Sequence, residues 1–176
     1  MMLDVLRRRG RKAGQPPGAL VYVGVDQDFT PQVDLVSYGP GGLEFQSLET
    51  LSSCPDVEDG RVHWLRVRGV HEAEVVKNVG ETFGIHPLAL EDILNTGRRP
   101  KAEWYGNALF AVLKLTDYDA ESGVLVQSQA AMVWMGPVVL TFQEGREDVF
   151  ARFWPGSRIP GAASAATGRT TCWWRC

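Results

Sequence analysis

Two changes of hydrophobic period divide this chain and restrict what it can fold into. RVHWLRVRGV at 61–70 reads as a strand, with Val62, Trp64 and Val67 expected on its packed side. From His71 the repeat lengthens from two to near 3.6. Val75, Val76, Val79 and Phe83 then share one stripe, which predicts an amphipathic helix over 71–83 ended by Gly84. Pro87 stands where the first turn of a new helix tolerates it, and PLALEDILN runs on to a stop at Gly97. WYGNALFAVLKLTDY (104–118) and VLVQSQAAMVWM (124–135) return to strand patterning around DAESG, and Gly136 and Pro137 turn the chain into VVLTFQE. Ahead of the helices, ALVYVGV (19–25) and VDLVSYG (33–39) read as a hairpin, and GPGG at 39–42 as a turn into the strand LEFQSL. The pattern comes to about seven strands, two inserted helices and a third helix starting near Arg146, which predicts a mixed sheet covered by helices, α/β or α+β.

With 176 residues, 44% hydrophobic and 22% charged, the chain can bury the core of one domain. A net charge of -3 gives no general attraction to nucleic acid. The basic run of Arg7, Arg8, Arg9, Arg11 and Lys12 is read as a solvated flexible arm over 1–15, since no apolar anchor adjoins it. Cys54, Cys172 and Cys176 are too few and too unevenly placed for a secreted disulfide framework, which favours a reducing cytosol. No apolar region follows the N-terminal charges as a signal peptide requires. The longest apolar run, AAMVWMGPVVL, is broken by Gly136 and Pro137 and falls short of the roughly 20 residues of a spanning helix. The chain by itself is expected to be soluble and cytoplasmic.

Catalytic signatures are missing, and no catalytic residue is assigned. There is no G-x-S-x-G and no P-loop, and His63, His71 and His86 are scattered over a strand and two helix starts. GPGG lacks the Lys-Ser/Thr of a phosphate loop, and HEAE at 71–74 has Val75 where a zinc helix needs its second His. His86 reads as a helix-entry residue bonded locally. The helix over 87–95 is more informative. On a wheel, Ala89, Leu90, Ile93 and Leu94 share one side, while Glu91, Asp92 and Asn95 share the other. Three oxygen donors within a turn, without Cys or His, suit Mg2+ or Ca2+ better than zinc or copper, with further ligands drawn from elsewhere. The ordinary alternative is a charged outer face. Leu88, on the acidic side, points to contact with another protein surface.

The stretch VVKNVGETFGIHPLALEDILNTGRRPKAEWYGNALFAVLKL at 75–115 resembles the CorA family of magnesium and cobalt transporters, whose cytoplasmic N-terminal domain carries a similar FGIHPLxLEDILNxxxRPK segment. The likeness reaches back to PPGALVYVG at 16–24 and forward to LTFQEGREDVF at 140–150. It implies an α/β/α sandwich with a central mixed sheet over 16–152, acting as a cytoplasmic metal-sensing domain. It also implies a homopentamer whose cytoplasmic domains form a funnel, with divalent cations, Mg2+ and also Co2+, bound between neighbouring subunits. The acidic pair that binds them matches Glu91 and Asp92. Arg98, Arg99 and Lys101 follow closely and are candidates to pair with a neighbouring subunit's acids, exposed pairs worth about 0 to 1 kcal/mol on which assembly does not rest.

Members of that family continue into a helical stalk and two transmembrane helices with a Gly-Met-Asn signature, none of which this sequence contains. The resemblance therefore implies a regulatory part rather than a pore. It implies half of the sensor, on the cytoplasmic face of the inner membrane in a full-length homologue and attached to the membrane only through those helices. Residues 153–176, FWPGSRIPGAASAATGRTTCWWRC, lack Leu, Val, Asp, Glu and Lys and are read as an aberrant, disordered tail, with two readings open, a low-complexity linker and a shifted reading frame; under the second Cys172 and Cys176 bind nothing. Two alternatives stay open: a free-standing module that binds divalent cations or partner subunits, and a fragment of a CorA-like zinc transporter.

Overall fold

A computed structural model describes residues 20–25, 27–49, 51, 54–55, 60–119 and 123–150. The basic arm and the 153–176 tail lie outside the described residues. Seven strands form one mixed sheet: β1 (Gln32–Gly39), β2 (Gly42–Leu48), β3 (Val62–Arg68), β4 (Lys101–Tyr105), β5 (Ala108–Asp119), β6 (Val124–Met135) and β7 (Val138–Gln143). Two helices, α1 (Ala73–Phe83) and α2 (Pro87–Leu94), lie between β3 and β4 in sequence.

The strand order is β2-β1-β3-β7-β6-β5-β4. β2, β1 and β3 pair antiparallel, and so do β4 to β7; each pair joins consecutive strands except β1 with β3, which flank β2 in sequence. The two sets meet where β3 runs parallel to β7, Leu65 opposite Leu140 and Val67 opposite Phe142. A parallel pair needs a long crossover, and here the helices and three strands supply it. β7 lies near the middle and buries five of its six residues, as a strand covered on both faces does.

Successive side chains alternate between faces, so the sheet has two distinct surfaces. Leu65, Val67, Phe110, Val112, Ala131, Val133, Leu140 and Phe142 form the core with Val76 and Val79 of α1 and Leu90, Ile93 and Leu94 of α2. Both helices therefore pack on one face. On the opposite face a row crosses every strand in register: Phe45, Val36, Trp64, Val139, Trp134, Leu109 and Trp104. That face is apolar too. The segment after β7 begins to run over it, with Phe150 edge-on to Trp64 at 6.0 Å and Asp148 paired with the buried Arg66.

The two helices meet at a tight corner. Gly84 takes φ 64°, the left-handed conformation that closes a helix without a Cβ penalty, and its N–H donates to the Gly80 carbonyl. Gly80 touches α2 so closely that a Cβ there would sit 2.5 Å from Leu90 Cδ1.

Several expectations are corrected. Residues 20–25 form no sheet strand and no hairpin with β1; they run extended past the end of α2, where Val23 bridges Asn95. The stretch 104–118 is two strands, because Gly106 turns the chain at φ 63° between β4 and β5. On β3 the helix-facing residues are Leu65 and Val67, while Val62 and Trp64 point the other way. Residues 144–150 are bends and turns, with no helix starting at Arg146 among the described residues.

Candidate functional site

α2 starts on His86, whose Nδ1 accepts the Leu88 N–H at 3.2 Å while its ring stacks on Tyr105 at 4.5 Å; Pro87 at the first helical position forfeits no bond. His86 is thus the locally bonded entry residue its position predicts. The wheel also holds, since Ala89, Leu90, Ile93 and Leu94 are all buried. Leu88 is half exposed.

The end of the helix is clamped from four directions. Val23 N–H donates to the Leu94 carbonyl and Thr96 N–H returns a bond to Val23. Gln129 of β6 donates Nε2 to the carbonyls of Asp92 and Asn95 at 3.1 and 3.3 Å. Thr96 Oγ1 donates to Glu144 just past β7, and Lys114 of β5 reaches the Thr96 carbonyl. These bonds take up carbonyls that the last helical turn leaves without partners. They also fix the turn that leads to Arg98.

Glu91 and Asp92 come together, but not as an open acidic face. Asp92 is buried, with 8% of its side chain exposed. Its Oδ2 lies 2.7 Å from Lys101 Nζ, and its Oδ1 lies 2.6 Å from Arg98 Nε, a charge contact rather than an aligned hydrogen bond. Arg98 also donates from its terminal nitrogen to Glu91 Oε1 at 3.0 Å. Lys101 is shared with Glu103 at 2.6 Å. Burial alone would lower the Lys101 pKa, but its hydrogen bonds to Asp92 and Glu103 outweigh that and raise it well above the ordinary lysine value. Within one chain Arg98 and Lys101 already neutralise the acids beside them.

Asn95, the third oxygen donor on the wheel, turns back to accept Gly97 N–H at 3.3 Å. Among the described residues no cluster of three or more His, Cys, Asp or Glu is arranged to hold a metal. By donor chemistry Glu91 and Asp92 suit a hard cation such as Mg2+. By geometry their inner oxygens are engaged, and a cation would need Arg98 to move and further ligands to arrive. Sequence reasoning found the two acids but not Lys101 and Arg98 as their partners, nor Gln129 as the residue that holds the helix end. The RRPK charges were the available signal.

Residues 59–154 match the family model described as CorA-like Mg2+ transporter protein. The chain belongs to the CorA family. The CorA cobalt/magnesium transport protein of Thermotoga maritima is 40% identical over 146 residues, 82% of this chain and 41% of that relative. The present chain thus spans less than half of that CorA protein. Two solved structures share the fold at 14% identity: full-length CmaX, with a TM-score of 0.56 over 73% of this chain and 39% of that one, and the complete CorA magnesium transporter from Methanocaldococcus jannaschii, with 0.50 over 72% and 36%. The seven-stranded mixed α/β fold of this CorA domain agrees with the architecture expected from its sequence. Among the described residues no helix is long and apolar enough to cross a membrane.

Proposed function

We propose that this chain is the cytoplasmic regulatory domain of a CorA-type magnesium/cobalt transport protein, sensing divalent cations through Glu91 and Asp92 at a contact with a second copy. The observation that carries this reading is the pair of adjacent carboxylates on a helix end fixed by four other segments, next to a half-exposed Leu88. Carboxylates from two copies repel one another until a cation bridges them. Binding then favours the associated state, and loss of the ion loosens it. Mg2+ fits best, because it accepts one or two carboxylates and retains several waters. A homo-oligomer, pentameric as in the family resemblance, on the cytoplasmic face of the cell membrane follows from the same reading.

A second reading is favoured by the ion pairs themselves: Glu91 and Asp92 serve as internal counter-ions that hold the turn to β4. Calorimetric titration of MgCl2, with sedimentation in parallel, separates the two. Under the sensing reading Mg2+ binds and promotes association, and Glu91→Ala and Asp92→Ala abolish both effects. Binding unchanged by both substitutions, or substitutions that only lower stability, would leave the counter-ion role alone.

A further inference from the structure

Resting on the reading that Glu91 and Asp92 take a divalent cation, we infer that Arg98 is a built-in competitor for that cation and sets the concentration at which the site responds. Three observations converge on it. First, its guanidinium spans both acids, with Nε 2.6 Å from Asp92 and a terminal nitrogen 3.0 Å from Glu91, so a single side chain occupies the place where a bridging ion would sit. Second, the two cations at the site differ in how they are held. Lys101 is tied at 2.7 and 2.6 Å to Asp92 and Glu103 and belongs to strand β4, whereas Arg98 lies in the connecting segment with 41% of its side chain exposed. Third, Arg98 Nε makes no aligned hydrogen bond, so its hold on Asp92 is charge proximity without the directional part of a bidentate pair.

A metal ion approaching this pair therefore meets a fixed positive charge, Lys101, and a removable one, Arg98. Arg98 can swing into water, where guanidinium is well solvated, and leave the Glu91 and Asp92 oxygens that it covered. The protein keeps its acids neutralised while the cation is scarce, which spares the helix end an uncompensated negative charge. The cost of displacing Arg98 weakens cation binding, which suits a sensor that must stay empty until the ion is abundant. Pulling a unit charge away from carboxylates at about 4 Å, at near-aqueous screening, costs on the order of a tenfold change in affinity, so removing Arg98 is expected to tighten binding by about that factor.

The test uses the full chain and MgCl2 alone as probe, with CoCl2 as a second ion, in calorimetric titration of the wild type, Arg98→Gln, Arg98→Lys, Asp92→Asn and the double variant Arg98→Gln/Asp92→Asn. Circular dichroism confirms that each variant is folded. The expected result is about tenfold tighter binding by Arg98→Gln, near-wild-type affinity in Arg98→Lys because the charge is retained, and no binding in either form carrying Asp92→Asn. Equal affinity in the wild type and Arg98→Gln, with binding still lost in Asp92→Asn, would overturn the competition while leaving the acidic site standing. Weaker binding by Arg98→Gln would overturn it as well, by making Arg98 a support of the site. Absence of binding in every form, or binding indifferent to Asp92→Asn, would remove the underlying reading and this inference with it.

Discussion

A Cβ placed on Gly80 of α1 would stand 2.5 Å from Leu90 Cδ1 and 2.7 Å from Cδ2 of α2, so the corner between the helices closes only because residue 80 has no side chain. Leu90 is buried and would have to shift. Gly80→Ala gains up to about 1 kcal/mol of helix propensity but incurs an overpacking cost of roughly 1–3 kcal/mol. The expected outcome is a net loss of about 1 kcal/mol in urea denaturation. A shortened partner, Leu90→Ala, should make Gly80→Ala neutral or stabilising in that background.

The Lys101 charge gives a pH signature. Because the pKa of this base is raised on folding, its contribution is fully present below the unfolded lysine value of about 10.4 and is lost as pH climbs through and beyond it. Lys114 has the opposite sign: burial lowers it, with Glu144 pulling the other way, so its charged form opposes folding at neutral pH and that cost fades in mild alkali. Lys101→Met should therefore lose about 1 kcal/mol at pH 7. Denaturation midpoints of wild type and variant should differ by a constant amount up to about pH 10 and draw together only as the pH rises beyond that.

Arg66 is buried on the second face of the sheet, paired with Asp148 and 5.2 Å from the Trp64 ring centroid. Asp148→Ala takes a charged partner from a desolvated guanidinium and should cost about 2–3 kcal/mol. Thermal unfolding measures it. Glu44→Ala, which removes an exposed partner of Arg61, should change stability by less than about 1 kcal/mol under the same conditions.

Gln129 donates to two carbonyls at the end of α2 from a position fully inside the protein. Gln129→Leu keeps the volume but takes the side-chain donor from the Asp92 carbonyl and leaves the Asn95 carbonyl with the Arg98 N–H alone, at an expected cost of about 1–3 kcal/mol. Hydrogen exchange should locate the damage at residues 92–96. Faster exchange spread evenly over the sheet would instead point to general destabilisation.

Local periodicity carried most of the fold. The stripe of α2, its Pro87 start and the Gly84 stop are consequences of neighbouring residues, and all appear where the spacing puts them. The turn at Gly106 was a local signal passed over, but the other failures at residues 20–25 and on β3 depended on partners distant in sequence. Residues 20–25 are apolar and extended, but whether such a run finds a strand to pair with is decided by the end of α2, some 70 residues away. On β3 the alternation is ambiguous because Trp64 and Leu65 are both apolar and both faces of the sheet are covered by apolar rows, so the sequence does not say which set meets the helices. At the site, the acids were legible as a turn of helix. Their occupation by Arg98 and Lys101 was not, since it follows from the path of the chain between Asn95 and β4.

The parallel contact of β3 with β7 has a kinetic meaning. Each antiparallel set closes through consecutive strands or across a single intervening one, whereas His63 and Val138 are brought side by side from about 75 residues apart. The entropy lost in closing so long a loop is recovered only after the intervening helices and strands are in place, so this joint is expected to zip last.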